Sequence, residues 1–126
     1  MFGVGYDGVP VDYCRKRGLK VTNTPDVLTD DVADVAVGLV LMTGRGFAKA
    51  ERFVRGGEWE KKGLELTTKL GGRTAGILGL GRIGKTIARR AAAFDMELRY
   101  HNRRPAADTQ IAYEASLIEL ARWADF

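Results

Sequence analysis

Between Thr29 and Val54 the apolar positions Val32, Val35, Ala36, Leu39, Val40, Phe47, Ala50 and Val54 recur at helical spacing. The pattern predicts one long helix over about 29–54, with Thr29 as its N-cap, Asp30 and Asp31 in its first turn, and the Arg-Gly-Gly run from Arg55 as its stop. Ala33, Val37, Leu41 and Met42 add apolar surface on further faces. A helix apolar nearly all round is buried on more than one side, which in a chain this short implies a second subunit or a further domain.

Upstream, the stretch Phe2–Asp12 places Gly3, Gly5 and Gly8 close together. Such a backbone is free to take positive φ angles and to turn its N–H groups toward a ligand, so it reads as a loop. A short helix is predicted from Val9 to Arg17, stopped by Gly18. Leu19–Asn23 then alternates like a brief strand, and Thr24, Pro25 and Asp26 read as a turn.

Beyond a polar stretch, Glu58 to Lys69, the period changes again. Small and apolar residues at Ala75, Gly76, Ile77 and Leu78 predict a buried parallel strand, and a glycine turn follows. Ile87, Ala88, Ala91 and Phe94 then share one helical face, and Met96–His101 reads as a second strand. Ser116, with Glu119 three positions on, predicts a capped helix, and Asp125 and Phe126 stand where an alternating pattern would begin its next strand. The fold class is therefore α/β with parallel strands.

Composition narrows the function classes. The chain has 126 residues, 45% hydrophobic and 29% charged, which gives an ordinary globular composition with room for one domain at most. The net charge of +4 is scattered among 16 acidic residues, a pattern that suits an anionic small ligand or a solvated surface better than nucleic acid. The single cysteine, Cys14, has no internal partner, and together with the absence of a signal-peptide pattern this leads us to expect the cytosol. The run Val32–Met42 is too short and too interrupted to cross a bilayer, so neither a membrane nor a nucleic-acid partner is expected, and no metal set is seen.

Gly79, Gly81 and Gly84 form G-x-G-x-x-G between a strand and a helix, the context that gives the motif its meaning. Gly79 is expected to make the tight turn, Gly81 to let a pyrophosphate approach the backbone, and Gly84 to let helix and strand pack closely. Phosphates would sit at the helix N-terminus. The competing reading is a structural glycine turn in another α/β protein.

Where such a site usually carries a carboxylate for the adenosine ribose, the chain has Asn102, followed at once by Arg103 and Arg104. An Asp or Glu would repel a 2′-phosphate, whereas an amide beside two guanidinium forks accepts one. The expected cofactor is thus NADP(H) in preference to NAD(H), the bland alternative being a solvated basic turn before Pro105. His101, the only histidine, is read as a wall of the adenosine pocket or a surface residue.

These residues resemble the D-2-hydroxyacid dehydrogenase family, and within it most of all the glyoxylate/hydroxypyruvate reductases. The likeness runs from Ala75–Gly84 through Leu98 to His101 and Asn102, includes Asn23–Leu41, which is similar to the passage from the family's substrate domain into its cofactor domain, and spans essentially the whole chain. The resemblance implies that Arg82 and Ile83 lie along the pyrophosphate and that Asn102, Arg103 and Arg104 read the adenosine end. It also implies that Val4 and Gly5, in a loop similar to the family's substrate-carboxylate loop, present backbone N–H groups near the nicotinamide.

The same resemblance divides the chain into 1–28, a piece of a flavodoxin-like substrate-binding domain, and 29–126, the N-terminal half of a Rossmann-like NAD(P)-binding domain that includes the long interface helix. It implies a homodimer through the 29–54 helix and a small 2-keto acid substrate for the complete enzyme. The family's catalytic arginine, carboxylate and histidine belong to motifs with no counterpart here, so no catalytic residue is assigned and the chain alone is expected to be inactive. The other readings are a nucleotide-binding module without turnover and a dimerisation element.

Overall fold

The computed structural model describes residues 1–126. In chain order the elements are α1 (Val11–Lys16), α2 (Thr29–Gly44), α3 (Phe47–Arg55), a 3-10 turn (Glu58–Glu60), β1 (Thr74–Leu78), α4 (Arg82–Ala92), β2 (Glu97–His101), β3 (Ala112–Tyr113) and α5 (Leu117–Trp123). The strands form one parallel sheet in the order β1-β2-β3. Ile77 pairs with Tyr100 and Leu78 with His101, so β1 and β2 end side by side where α4 begins. The expected strand, glycine turn, helix and second strand are all present.

Side chains alternate across the sheet, as the period of two requires. Ala75 and Ile77 of β1, with Leu98 and Tyr100 of β2, face α4 and α2, where two apolar clusters form around Ile77, Leu80, Ala88 and Tyr100 and around Leu70, Ala91 and Met96. Gly76 and Arg99 face α5. A methyl group on Gly76 would lie 3.0 Å from Ala124 Cβ, and the Arg99 guanidinium stacks 4.3 Å from the centre of the Trp123 ring. Helices on both faces explain why the strand is small and apolar rather than alternating with charge. Phe94, placed by its spacing on the buried face of α4, instead lies beyond that helix's last turn and is exposed.

After α5 the chain crosses to the far side of β1. The Gly76 N–H donates to Phe126 O at 2.9 Å, and the Asp125 and Phe126 N–H groups reach Thr74 O at 3.1 and 3.2 Å. These bonds lay Asp125 and Phe126 beside β1, where the alternation placed a next strand, though no strand is formed there.

The predicted 29–54 helix is two helices. At Gly46 the backbone turns left-handed, φ 60°, and α3 starts as a separate helix. Period alone could not show this, because the apolar spacing continues through the break while the glycine ends the hydrogen-bond ladder. Thr29 is the first residue inside α2 and not its cap, since Leu28 occupies that position and no side chain caps the end. α2 buries Ala33 and Val37 against α4, to which Arg90 fastens it through Asp30 (3.0 Å) and Asp34 (2.6 Å). Val32, Val35, Leu39 and Met42 remain exposed on another face.

Nor is Leu19–Asn23 a strand. It has no regular structure, and it and Thr24 just after it are tied to the N-terminal segment by isolated bonds, Met1 N to Thr22 O (2.7 Å) and Thr24 N to Gly3 O (2.9 Å). α1 spans Val11–Lys16, shorter than predicted, and Gly18 stops it at φ 67° as expected. Of the three early glycines only Gly3 takes a positive φ, 135°. Ser116 caps α5, its hydroxyl accepting from the Glu119 N–H at 3.3 Å, but the reciprocal bond of a capping box comes from elsewhere: the Ser116 N–H donates to Glu114 Oε1 at 3.1 Å.

Candidate functional site

The glycines differ in what holds them. Gly79 has φ 99°, a conformation that side-chain-bearing residues rarely adopt, and its N–H donates to His101 O at 2.9 Å. A Cβ on Gly84 would lie 2.1 Å from Gly79 O, so α4 can pack on the turn only without one. Gly81 has an ordinary φ of −87°, and a Cβ there would meet nothing within 4 Å. Internal geometry therefore requires Gly79 and Gly84 but not Gly81, whose missing side chain keeps an approach to the backbone open.

Gly81 caps α4 without a side chain, no other side chain caps that end, and the first turn holds no acidic residue. The leading N–H groups of the helix, Arg82 and Ile83 among them, consequently face outward with no intrahelical acceptor. Together with the helix dipole they form an environment suited to an anion.

Two open clefts meet at this turn. The larger, about 890 Å³, is lined by Leu78, Gly79, Leu80, Gly81, His101, Asn102, Arg103, Arg104 and Leu117. The smaller, about 250 Å³, is lined by Val4, Asp26, Thr29, Gly79, Gly81, Arg82, Ile83 and Gly84. Gly79 and Gly81 belong to both, so a ligand long enough to cross the turn would occupy both sides. Every cofactor-binding residue expected from the sequence lines one cleft or the other. Val4 does as well, but its carbonyl is engaged by Asn23 Nδ2 at 2.9 Å, and Gly5 lines neither cleft.

At the larger cleft, Asn102 Oδ1 accepts the Leu80 N–H at 2.7 Å, tying the end of β2 to the turn. Arg103 and Arg104 form no ion pair within the chain, although most of the other arginines do. Their guanidinium groups stay available to an external anion. His101 Nδ1 lies 2.9 Å from Glu114 O, which makes that nitrogen the donor, and the ring stacks on Tyr113 at 6.2 Å between centres. The ring lines the larger cleft.

Sequence reasoning missed several lining residues. Leu78 and Leu117, both exposed, give the larger cleft an apolar wall suited to a planar ring. Leu78 was legible as the residue before the turn, whereas Leu117 arrives there only through the path of α5. Asp26, read as a turn residue, has φ 70° and pairs with Arg82 at 3.0 Å, fastening the segment before α2 to the start of α4.

The fold and cleft together define a parallel α/β unit built around a dinucleotide-type glycine turn. The family model described as the NAD binding domain of D-isomer specific 2-hydroxyacid dehydrogenase matches residues 37–126, and the chain belongs to that family. It is 44% identical over 124 residues to glyoxylate/hydroxypyruvate reductase A of Arabidopsis thaliana, covering 98% of the chain and 40% of that protein. It is 47% identical to hydroxyphenylpyruvate reductase of Plectranthus scutellarioides, with coverages of 98% and 40%. The crystal structure of an NADPH-dependent glyoxylate/hydroxypyruvate reductase from Sinorhizobium meliloti superposes with a TM-score of 0.93 at 48% identity, covering 98% of this chain and 40% of that one. The chain thus spans about 40% of the length of these relatives. No helix is long and apolar enough to cross a membrane.

Proposed function

We propose that this chain is the NADP(H)-binding portion of a 2-keto/2-hydroxy acid oxidoreductase of the glyoxylate/hydroxypyruvate reductase type. The observation that carries the cofactor preference is the end of β2, where a neutral Asn102 and two unpaired guanidinium groups, Arg103 and Arg104, face the larger cleft. A carboxylate at Asn102 would repel a 2′-phosphate, and the two forks attract one. The family and the NADPH-dependent relative support the same reading.

The chain's residues then divide the work. The backbone N–H groups of Arg82 and Ile83 hold the pyrophosphate, Gly81 leaves it room, and Leu78 and Leu117 flank the adenine. In the complete enzyme a nicotinamide held there would exchange hydride with the substrate carbon, the reduced ring giving it up and the oxidised ring taking it. Val4 and Gly5 border that end from residues 1–28, the piece we assign to the substrate domain, with residues 29–126 assigned to the cofactor domain. Proton transfer at the substrate oxygen needs a positioned acid. The chain's single histidine, His101, donates instead to Glu114 O at the adenosine side, so the isolated chain binds cofactor without turning over substrate.

A second role, pairing of two copies through α2 and α3, is favoured by the exposed stripe of Val32, Val35, Leu39 and Met42. Incubating the chain with NADPH and glyoxylate, and following both cofactor fluorescence and absorbance, tests the main reading. Fluorescence change without oxidation is expected. Sustained oxidation would contradict the inactive-portion assignment, and no change in either signal would contradict the site.

A further inference from the structure

Arg103 and Arg104 lie in the segment between β2 and β3, which is fixed at both ends by tyrosine hydroxyls. The Tyr113 hydroxyl donates to Asn102 O at 3.2 Å, immediately before the arginines. The Tyr100 hydroxyl accepts the Ala106 N–H at 2.9 Å, two residues after them. The rings stand 5.4 Å apart and tilted at 57°, and Tyr100 is the most deeply buried large side chain of the molecule, 1% exposed. Farther along, Asp108 pairs with Lys85 of α4 at 2.6 Å. The backbone carrying the arginines is thus anchored while their guanidinium groups have no partner in the chain.

We infer that the Tyr100 and Tyr113 hydroxyls are positioning groups for cofactor selectivity: they hold the Asn102–Ala106 turn so that Arg103 and Arg104 meet a 2′-phosphate already in place. The inference rests on the NADP(H) reading above. A turn ordered before binding does not pay its ordering entropy when the ligand arrives, so the tethers add affinity without touching the ligand. A ligand lacking the 2′-phosphate makes no use of those arginines and gains nothing from their placement. Tyr100 lies too deep to reach the cleft, and it is absent from the cleft lining, so its effect passes through the turn.

The test is calorimetric titration of the full chain and of Tyr100→Phe and Tyr113→Phe with NADPH and NADH. Tyr100→Phe keeps the buried ring, and Tyr113 is exposed enough that its hydroxyl is not needed for the core. Each variant is expected to bind NADPH about fivefold more weakly, the size of one modest hydrogen bond, with NADH affinity unchanged. Equal weakening of both cofactors would indicate general damage to the fold and overturn the inference, as would an unchanged NADPH-to-NADH ratio. An unsubstituted chain with no preference for NADPH would overturn the cofactor reading and this inference with it, whereas a preference that both substitutions leave undiminished overturns this inference alone.

Discussion

Asn102 and Leu80 are joined by a hydrogen bond of 2.7 Å in which the Leu80 N–H donates to Asn102 Oδ1. The donor is a backbone amide, so the oxygen must face the glycine turn and the NH2 group must point away from it. Asn102→Asp retains an acceptor for Leu80 while adding a negative charge beside the cleft. It is therefore expected to fold normally and to bind NADPH at least about tenfold more weakly, with NADH less affected, as titration of both cofactors would show. Asn102→Ala removes the tether itself and is expected to weaken both cofactors.

Gly81 and Gly84 separate packing from binding. Gly84→Ala forces a methyl group to within 2.1 Å of a backbone oxygen, and thermal unfolding is expected to show a loss of about 3 kcal/mol or more. Gly81→Ala meets no neighbour and needs no unusual φ, so its melting temperature should fall only slightly, by the preference of an N-cap for glycine over alanine, while NADPH binding is lost. A Gly81→Ala chain that binds normally would mean that nothing approaches the backbone there.

These two glycines also show how much of the molecule was legible beforehand. The strand, turn, helix and strand around them were readable because each step changes the period or removes a side chain, and both signals are local. The break at Gly46 was not, because Phe47, Ala50 and Val54 resume apolar spacing directly after it. The path of Leu19–Asn23 was equally hidden, since alternation predicts a strand only where a neighbouring strand supplies the ladder. At the site, the glycines and the Asn102–Arg104 run could be named from sequence. Leu117 and the tyrosine tethers could not, because they depend on which elements the sheet brings together.

The exposed stripe of α2 leads to a prediction about assembly. If Val35 and Leu39 lie between two copies, Leu39→Glu places a charge in that contact without disturbing the packing of Ala33 and Val37 on α4. Light scattering should then show a dimer for the parent chain and a monomer for the variant. A parent chain that is monomeric at high concentration would contradict pairing through this helix.

Acid should loosen the contact that holds Asp125 against the start of β1. The Thr74 N–H donates to Asp125 Oδ2 at 3.0 Å, the Thr74 hydroxyl lies 3.0 Å from the same oxygen, and Arg73 is 3.3 Å from Oδ1. The Thr74 bonds, with a smaller part from Arg73, hold this carboxyl below its ordinary value. A depressed folded-state pKa means that the unfolded chain binds the proton first. The stabilisation is therefore fully present above the unfolded carboxylate range near about 4 and is lost as the pH falls through the folded value. Asp125→Asn should flatten the acid limb of a stability-against-pH curve while leaving the neutral region's slope unchanged.

The most direct test of NADP(H) selectivity is a calorimetric titration of the chain with NADPH and, in parallel, with NADH at fixed salt. Saturable binding at one site is expected, at least about tenfold tighter for NADPH, with the difference abolished by the double substitution Arg103→Ala and Arg104→Ala. Equal affinity for the two cofactors, or a preference that survives loss of both arginines, would contradict a 2′-phosphate site at the end of β2.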